Sequence, residues 1–100
     1  MNPTIKQVDI LEGLIQYREE VREAAGPSAS TALREADLCR RLGHSPGWAR
    51  ETLVIMKRDK WVAQTDDRRW RITPLGARVF GDSMRSLYAE IAVHHVIPEG

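Results

Sequence analysis

The chain has 100 residues, of which 42% are hydrophobic and 29% charged, and its formal net charge is +1. These values are typical of one ordinary soluble globular domain. No apolar run approaches the ~18–20 residues needed to span a bilayer, and the single cysteine, Cys39, has no partner for an internal disulfide. We therefore expect a cytoplasmic domain with no membrane segment.

Basic residues are concentrated in the middle of the chain. Residues 33–71 hold ten Lys and Arg against six Asp and Glu, a balance of +4, whereas the flanking segments carry −2 and −1. A basic segment of this kind on a near-neutral protein is expected of a surface that faces nucleic acid. A solvated charged surface would give the same counts, so the charge pattern alone leaves both interpretations open.

The first predicted element is a long helix over residues 4–25. Thr4 followed by Gln7 forms a capping box, and Gly26-Pro27 ends the helix because proline disfavours the helical conformation in the residue before it. Apolar residues recur between these points at helical spacing, namely Ile5, Val8, Leu11, Leu14, Ile15, Val21 and Ala25.

A second, shorter helix is predicted between Ser30 and Gly43. Leu38 and Leu42 lie one turn apart, Cys39 beside them is expected to be a small buried apolar residue, and Gly43 is a natural C-cap. Two starts are compatible with the sequence. Either Ser30 or Thr31 caps the helix, or residues 31–34 form a short extended segment before a helix that begins near Glu35.

The third predicted helix begins at Ser45. Serine is a good N-cap, and Pro46 fits the first helical position, where its missing amide costs nothing. The buried side of this helix is marked by Ala49, Leu53 and Met56, and the pattern breaks at Asp59-Lys60.

A β-hairpin and a last helix complete the predicted order. Residues 61–65 and 69–73 are short runs with aromatic and β-branched side chains, joined by a three- to five-residue connection that contains Asp66-Asp67-Arg68. Thr73-Pro74 repeats the pattern of a cap followed by proline and opens the last helix. Gly81-Asp82-Ser83 is a possible kink or interruption within it.

The last helix has more apolar surface than the domain core requires. The excess lies within residues 77–97 and predicts a two-fold homodimer, because large exposed apolar patches usually mark interfaces. The alternative is that this helix folds back on the first helix and completes a monomeric core. The predicted dimer contacts are Phe80, Met84, Leu87, Tyr88 and Ile91.

The order of these elements resembles a winged helix-turn-helix domain. Residues 36–43, ending in Leu-Gly, resemble the first helix of that motif, and residues 45–56 resemble its recognition helix. Lys60-Trp61-Val62 stands where the family usually has Gly-Leu-Val. Residues 72–76, Ile-Thr-Pro-Leu-Gly, resemble the Leu-Thr-x-x-Gly that leaves the wing in MarR-type and PadR-type bacterial regulators.

The resemblance implies a fold that is mainly α with a small β-hairpin. Residues 1–100 would form a single winged-helix domain with long N- and C-terminal helices. Residues 4–25 would be the first helix, residues 31–76 the helix-turn-helix and wing, and residues 77–97 the dimerisation helix.

The resemblance also implies sequence-specific binding of double-stranded DNA by a small transcriptional regulator without a cofactor. The recognition helix would enter the major groove, and the basic wing would contact the backbone or the minor groove. The expected contacts are Ser45, Gly47, Trp48, Arg50, Glu51, Lys57, Arg58, Arg68, Arg69 and Arg71.

Three of these contacts have specific expectations. Arg50 would bind guanine O6 and N7. Glu51 would either accept a hydrogen bond from cytosine N4 or pair with a nearby arginine. Trp48 is either a DNA contact or partly buried core, whereas Trp61 and Trp70 are expected to pack the hairpin onto the core.

Two other functions remain compatible with the sequence. The same helix would dock an acidic partner in a winged-helix protein–protein module, or the domain would be an accessory factor that binds DNA without sequence preference. We expect no enzyme and no metal site, because the sequence has no glycine-rich phosphate loop and no nucleophile motif, and His44 stands alone in a turn.

Overall fold

The computed structural model describes the backbone of residues 2–95 and the side chains of residues 2–87. This part of the chain forms four helices and a two-stranded antiparallel sheet, in the order α1 (Ile5–Ala25), α2 (Glu35–Arg41), α3 (Arg50–Arg58), β1 (Val62–Gln64), β2 (Trp70–Ile72) and α4 (Pro74–His95). The protein is therefore mainly α-helical with one small hairpin, as the sequence predicts. Among residues 2–95, no helix combines the length and apolarity needed to cross a membrane.

The predicted capping box at the start of α1 is confirmed. The Gln7 N–H donates to Thr4 Oγ1 at 3.1 Å, and the Thr4 N–H donates to Gln7 Oε1 at 2.9 Å. Burial is limited to the middle of the helix, at Ile10, Leu11, Gly13 and Leu14. The predicted apolar face is too long, since Ile5 in the first turn is 84% exposed.

Of the two starts proposed for the second helix, the structure shows the later one. Leu33 is extended and forms an antiparallel bridge with Trp70, in which each N–H donates to the other residue's carbonyl at 2.8 and 2.6 Å. The helix then begins at Glu35 and buries Leu38 and Cys39 completely. The backbone hydrogen bonds of Leu33 go to the hairpin, so they are not available to a longer α2.

The prediction that Ser45 caps the third helix is wrong. Gly47 has a φ of +92°, in the left-handed region, so a regular helix does not pass through it. Two successive turns occupy this segment, in which the Trp48 N–H donates to Ser45 O at 3.1 Å and the Arg50 N–H donates to Gly47 O at 3.2 Å. The helix begins only at Arg50, and it has nine residues.

The hairpin and α3 close one hydrophobic core against α1. The strands pair Val62 with Ile72, Ala63 with Arg71 and Gln64 with Trp70. The predicted buried face of α3 is confirmed, as are the core positions of Trp61 and Trp70. The buried core residues are Ile10, Leu11, Leu14, Leu33, Leu38, Cys39, Ala49, Leu53, Met56, Trp61, Val62, Trp70 and Ile72.

Thr73 joins the end of α3, the hairpin and the start of α4. Its hydroxyl donates to the carbonyls of Lys60 and Trp61, at 2.6 and 3.0 Å, and accepts from the Gly76 N–H at 3.0 Å. Lys60, the second residue after α3, has a φ of +66°. The left-handed turn after α3 is therefore made without a glycine.

The last helix is uninterrupted through Gly81-Asp82-Ser83. It lies against α1, and Val79 and Phe80 pack half-buried against the core. This part of α4 thus packs onto the core of the same molecule, as expected from the alternative prediction that the last helix folds back on the first helix. The predicted end of the helix at residue 97 lies outside the described residues.

Candidate nucleic-acid interface

An open groove of about 370 Å³ separates α3 from the hairpin. It brings together three of the ten predicted contact residues, Arg50 and Lys57 from α3 and Arg68 from the hairpin connection. The residues that line this groove, which we call the α3–hairpin groove, are Glu35, Arg50, Val54, Lys57, Gln64, Arg68 and Trp70.

Arg50 lies at the open edge of the groove beside a recessed carboxylate. Its side chain is 76% exposed, and its Nε is 3.9 Å from Glu35 Oε1, whereas the Glu35 side chain is only 17% exposed. Glu35 Oε2 also accepts a hydrogen bond from the Gly47 N–H at 3.3 Å. Glu35 therefore links the start of α2, the turn before α3 and the first residue of α3.

The carboxylate beside Arg50 is thus Glu35 and not Glu51. Glu51 is exposed, and its side chain makes no hydrogen bond or ion pair within residues 2–87, whose side chains the structure describes. Sequence analysis missed Glu35 because it precedes Arg50 by fifteen positions, and no local pattern relates residues at that separation.

Lys57 bridges the groove from the last turn of α3. Its Nζ donates to Gln64 Oε1 on β1 at 3.4 Å. Arg58, on the same turn, is exposed with its Nε 3.8 Å from Asp59 Oδ1. Arg71 is exposed on β2. Arg58 and Arg71 therefore add positive charge to this part of the protein without lining the groove.

The hairpin connection presents two arginines in different ways. The Arg68 N–H donates to Thr65 O at 2.9 Å and the Thr65 N–H donates to Arg69 O at 2.8 Å, which leaves a three-residue loop with Arg68 in the left-handed region at φ +63°. Arg68 is exposed and lines the groove. Arg69 is half-buried, with its Nε 2.9 Å from Asp67 Oδ2.

Asp67 is held in its charged form at this connection. The Thr65 hydroxyl donates a hydrogen bond to Asp67, which lowers the pKa of the carboxyl, and the positive charge of Arg69 lowers this pKa further. Asp67 and Arg69 therefore both remain charged across the physiological pH range. Of the two predicted arginines at the tip, Arg69 is engaged within the protein and Arg68 faces the groove.

Trp48 packs half-buried against the core of the protein and does not line the α3–hairpin groove. Its ring stacks on His44 with centroids 3.7 Å apart and planes 3° from parallel. Lys6 Nζ lies 4.7 Å from the Trp48 ring centroid, and the half-buried side chain contacts the core. Of the two expectations for Trp48, partly buried core matches this placement. Ser45 is exposed in the preceding turn, next to the half-buried Gly47.

The predicted dimer contacts fall into three groups. Phe80 packs half-buried on the core of the same molecule. Met84 is half-buried and Leu87 is 47% exposed, and both line a second open groove between α4 and the start of α1. The side chains of Tyr88 and Ile91 lie outside the described residues.

Comparison with known proteins identifies no relative of this chain. No family model, no curated protein and no solved structure matches it.

Proposed function

We propose that this protein is a winged helix-turn-helix domain that binds double-stranded DNA with sequence specificity, as a small transcriptional regulator. In this proposal α2 and α3 are the helix-turn-helix, α3 is the recognition helix in the major groove, and β1 and β2 form the wing on the backbone or the minor groove. The resemblance of residues 33–76 to that family supports the assignment of the elements.

The observation that carries the proposal is the charge of the α3–hairpin groove. Arg50, Lys57 and Arg68 reach this groove from two separate elements. Residues 50–71 hold seven Lys and Arg against four Asp and Glu, so this segment has a charge of +3 on a chain of +1. Cations grouped on one helix and the adjacent hairpin suit phosphates on both sides of a DNA groove.

The dimensions of α3 suit the major groove. An α-helix with its side chains is about 10–12 Å in diameter, which fits a major groove about 12 Å wide, and the nine residues of α3 span about 14 Å along the helix axis at 1.5 Å per residue. Arg50 at the N-terminal end of α3 has the exposed fork that binds guanine O6 and N7. Val54, one turn later on the same side, is 57% exposed and offers an apolar contact to a thymine methyl group.

A second candidate function follows from the apolar part of the same surface. Val54 and Ile55 are 57% and 41% exposed beside the cations of α3. A surface with both properties also suits an amphipathic acidic segment of a protein partner. In that case the domain would be a protein–protein interaction module.

Duplex binding measured against salt concentration distinguishes these functions. Selection from randomised duplexes, followed by fluorescence anisotropy of the selected and a scrambled duplex, is expected to show a preferred site. The logarithm of the association constant should fall with the logarithm of salt concentration by about 0.9 per phosphate contact. Salt-dependent binding without a preferred site would identify a non-specific accessory factor, and no binding would favour the protein–protein module.

Three arginine variants then assign the parts of the surface. Arg50→Ala should lose the preference for the selected site, whereas Arg68→Ala should weaken all duplexes equally and reduce the salt slope by about one unit. Arg78→Ala is the matched control, because Arg78 is an exposed arginine on α4 that does not line the groove. If all three variants behave alike, the α3–hairpin groove is not the DNA-binding surface.

We further propose that two copies pair through α4 as a two-fold dimer. The exposed Leu87 and the half-buried Met84, together with the 84% exposed Ile5 of α1, form an apolar surface away from the α3–hairpin groove. Two recognition helices in such a dimer would bind half-sites about 34 Å apart, one turn of DNA.

A further inference from the structure

Glu35 is unusual for a carboxylate on a surface proposed to bind DNA. Among the described residues that line the α3–hairpin groove, it is the only acidic one. Its side chain is 17% exposed, and its Oε1 is buried and accepts no hydrogen bond from the side chains and backbone described within residues 2–87. A recessed carboxylate does not meet phosphates directly, but it acts on the cation next to it.

The Arg50 guanidinium group has its Nε near Glu35, while the rest of the side chain is exposed. Nε faces Glu35 Oε1 at 3.9 Å, while the side chain as a whole is 76% exposed. A guanidinium is a rigid planar fork, so a carboxylate on the Nε side leaves the pair of terminal nitrogens directed away from it. Those two nitrogens are the donors that a bidentate contact with guanine O6 and N7 requires.

Glu35 also anchors the backbone that carries Arg50. Its Oε2 accepts from the Gly47 N–H at 3.3 Å, in the left-handed turn that immediately precedes α3. One carboxylate thus contacts both the turn and the arginine side chain. Attraction to a carboxylate in this position favours the Arg50 rotamers that turn Nε toward Glu35, and preorganisation of this kind reduces the entropy lost on binding.

We infer that Glu35 is a positioning residue that orients the Arg50 guanidinium toward one guanine and thereby sets the sequence preference of the domain. The inference rests on the proposed function, DNA binding by the same groove. Glu35 itself would not touch the DNA. Its contribution would appear in the discrimination between duplexes and not in the affinity for DNA as such.

The variant Glu35→Gln separates this role from a merely structural one. Glutamine keeps an oxygen that accepts from the Gly47 N–H but loses the charge that attracts Arg50. Asp37→Asn is the matched control. It removes the same charge from the same helix, where Asp37 pairs with Arg40 at 3.2 Å and does not line the groove.

The experiment measures the affinity of each variant for three kinds of duplex. These are the selected site, a scrambled site, and a series in which 7-deazaguanine replaces each guanine of the selected site in turn. This base lacks N7 and keeps O6, so it removes one acceptor of the bidentate contact. The wild-type protein is expected to lose affinity at one guanine, by about fivefold or more. Glu35→Gln should bind the selected site and its 7-deazaguanine forms nearly equally, while Asp37→Asn should keep the wild-type ratios.

Two further variants complete the test, and the first of them keeps the inference testable if Glu35→Gln loses stability. Arg50→Lys keeps the positive charge and the Glu35–Gly47 contact but replaces the fork by a point charge, and it should lose the preference for guanine over 7-deazaguanine. In the Arg50→Ala background, Glu35→Gln should cause no further loss of discrimination, because the two residues act as a unit.

The possible outcomes distinguish a failure of the role of Glu35 from a failure of the proposed DNA binding. If the wild-type protein prefers its selected site and Glu35→Gln or Arg50→Lys retains the full guanine preference, the role of Glu35 is disproved and DNA binding stands. If the wild-type protein binds no duplex, both the proposed function and this inference are overturned. If Asp37→Asn also lost the discrimination between duplexes, the effect of Glu35→Gln would come from the change in net charge and not from the position of Glu35. That result would also overturn the inference.

Discussion

Gly76 lies directly against the carbonyl oxygen of Trp61, so closely that a Cβ at position 76 would overlap this oxygen. The same carbonyl accepts from the N–H and the hydroxyl of Thr73, both at 3.0 Å. The first turn of α4 therefore rests on the backbone that enters the hairpin. This contact sets the position of the hairpin, and with it one wall of the α3–hairpin groove.

Gly76→Ala is accordingly expected to destabilise the fold. Because the obstacle is backbone and not the end of a flexible side chain, the overlap should cost about 2–3 kcal/mol of unfolding free energy. Gly81→Ala in the same helix is the control. Nothing lies within 4 Å of a Cβ at position 81, so this change should stabilise the protein by about 1 kcal/mol. Thermal unfolding followed by circular dichroism measures both, and equal midpoints would contradict the role of Gly76.

Breaking the ion pair at the hairpin tip is expected to increase the affinity for DNA. Asp67→Asn removes a negative charge and also releases Arg69, whose Nε lies 2.9 Å from Asp67 Oδ2. Asp66→Asn removes the same charge from an exposed neighbour that has no ion pair with the side chains of residues 2–87. Release of Arg69 to a phosphate should steepen the salt slope by about 0.9 in Asp67→Asn alone. Identical slopes in the two variants would show that Arg69 does not reach DNA.

The pH dependence of this effect follows from the pKa of Asp67. The hydrogen bond from Thr65 and the charge of Arg69 lower that pKa. A carboxyl whose pKa is lowered by folding stabilises the native state at any pH above its unfolded-state pKa, which is about 3.9. This stabilisation is lost as the pH falls through the lower pKa of the native state. The affinity ratio of Asp67→Asn to wild type should therefore be constant between about pH 5 and 8. A change of that ratio near neutral pH would show that another group controls Arg69.

Val54 predicts a preference for thymine at one position of the selected site. Replacing thymine by uracil removes one methyl group, which is worth about 0.8 kcal/mol when buried, or about fourfold in affinity. Val54→Ala should reduce this thymine-to-uracil ratio. Ile55→Ala is the matched control, because Ile55 is also exposed on α3 but does not line the groove. An unchanged ratio in Val54→Ala would remove this residue from the proposed interface.

The proposed dimer is tested by Leu87→Asp. Size exclusion with light scattering should give twice the chain mass of 11.4 kDa for the wild type, and the monomer mass for this variant, because a carboxylate does not enter an apolar interface without a partner. Leu75→Asp makes the same change at the opposite end of α4, where Leu75 is 40% exposed, and should leave the mass unchanged. A wild-type mass near 11.4 kDa would disprove the dimer.

Most of the secondary structure could be predicted because its determinants are local. The capping box of Thr4 and Gln7 joins residues three positions apart, and Thr73 likewise caps α4 through Gly76. The buried face formed by Ala49, Leu53 and Met56 follows from helical spacing. In each case the partners are neighbours in the chain, so the amino-acid pattern contains the interaction.

The two cap-and-proline signals show where local patterns stop being sufficient. Thr73-Pro74 starts a helix as predicted, whereas Ser45-Pro46 is followed by Gly47 in the left-handed region. Trp48, the next residue, stacks on His44 and lies beside Lys6 of α1. Because glycine adopts this conformation at little cost, the tertiary packing of Trp48 and the turn it requires prevail over the capping preference of Ser45.

The sequence by itself thus determined the order of the helices and the hairpin, the buried face of α3 and the basic middle segment, since periodicity, caps and charge are properties of short stretches of chain. Only the tertiary structure decided which charges meet. It places Glu35 beside Arg50 and Arg68 across the groove from Lys57, over separations of fifteen and eleven residues. Such pairs depend on how helices and strands pack, and packing is set by the whole core and not by any one segment.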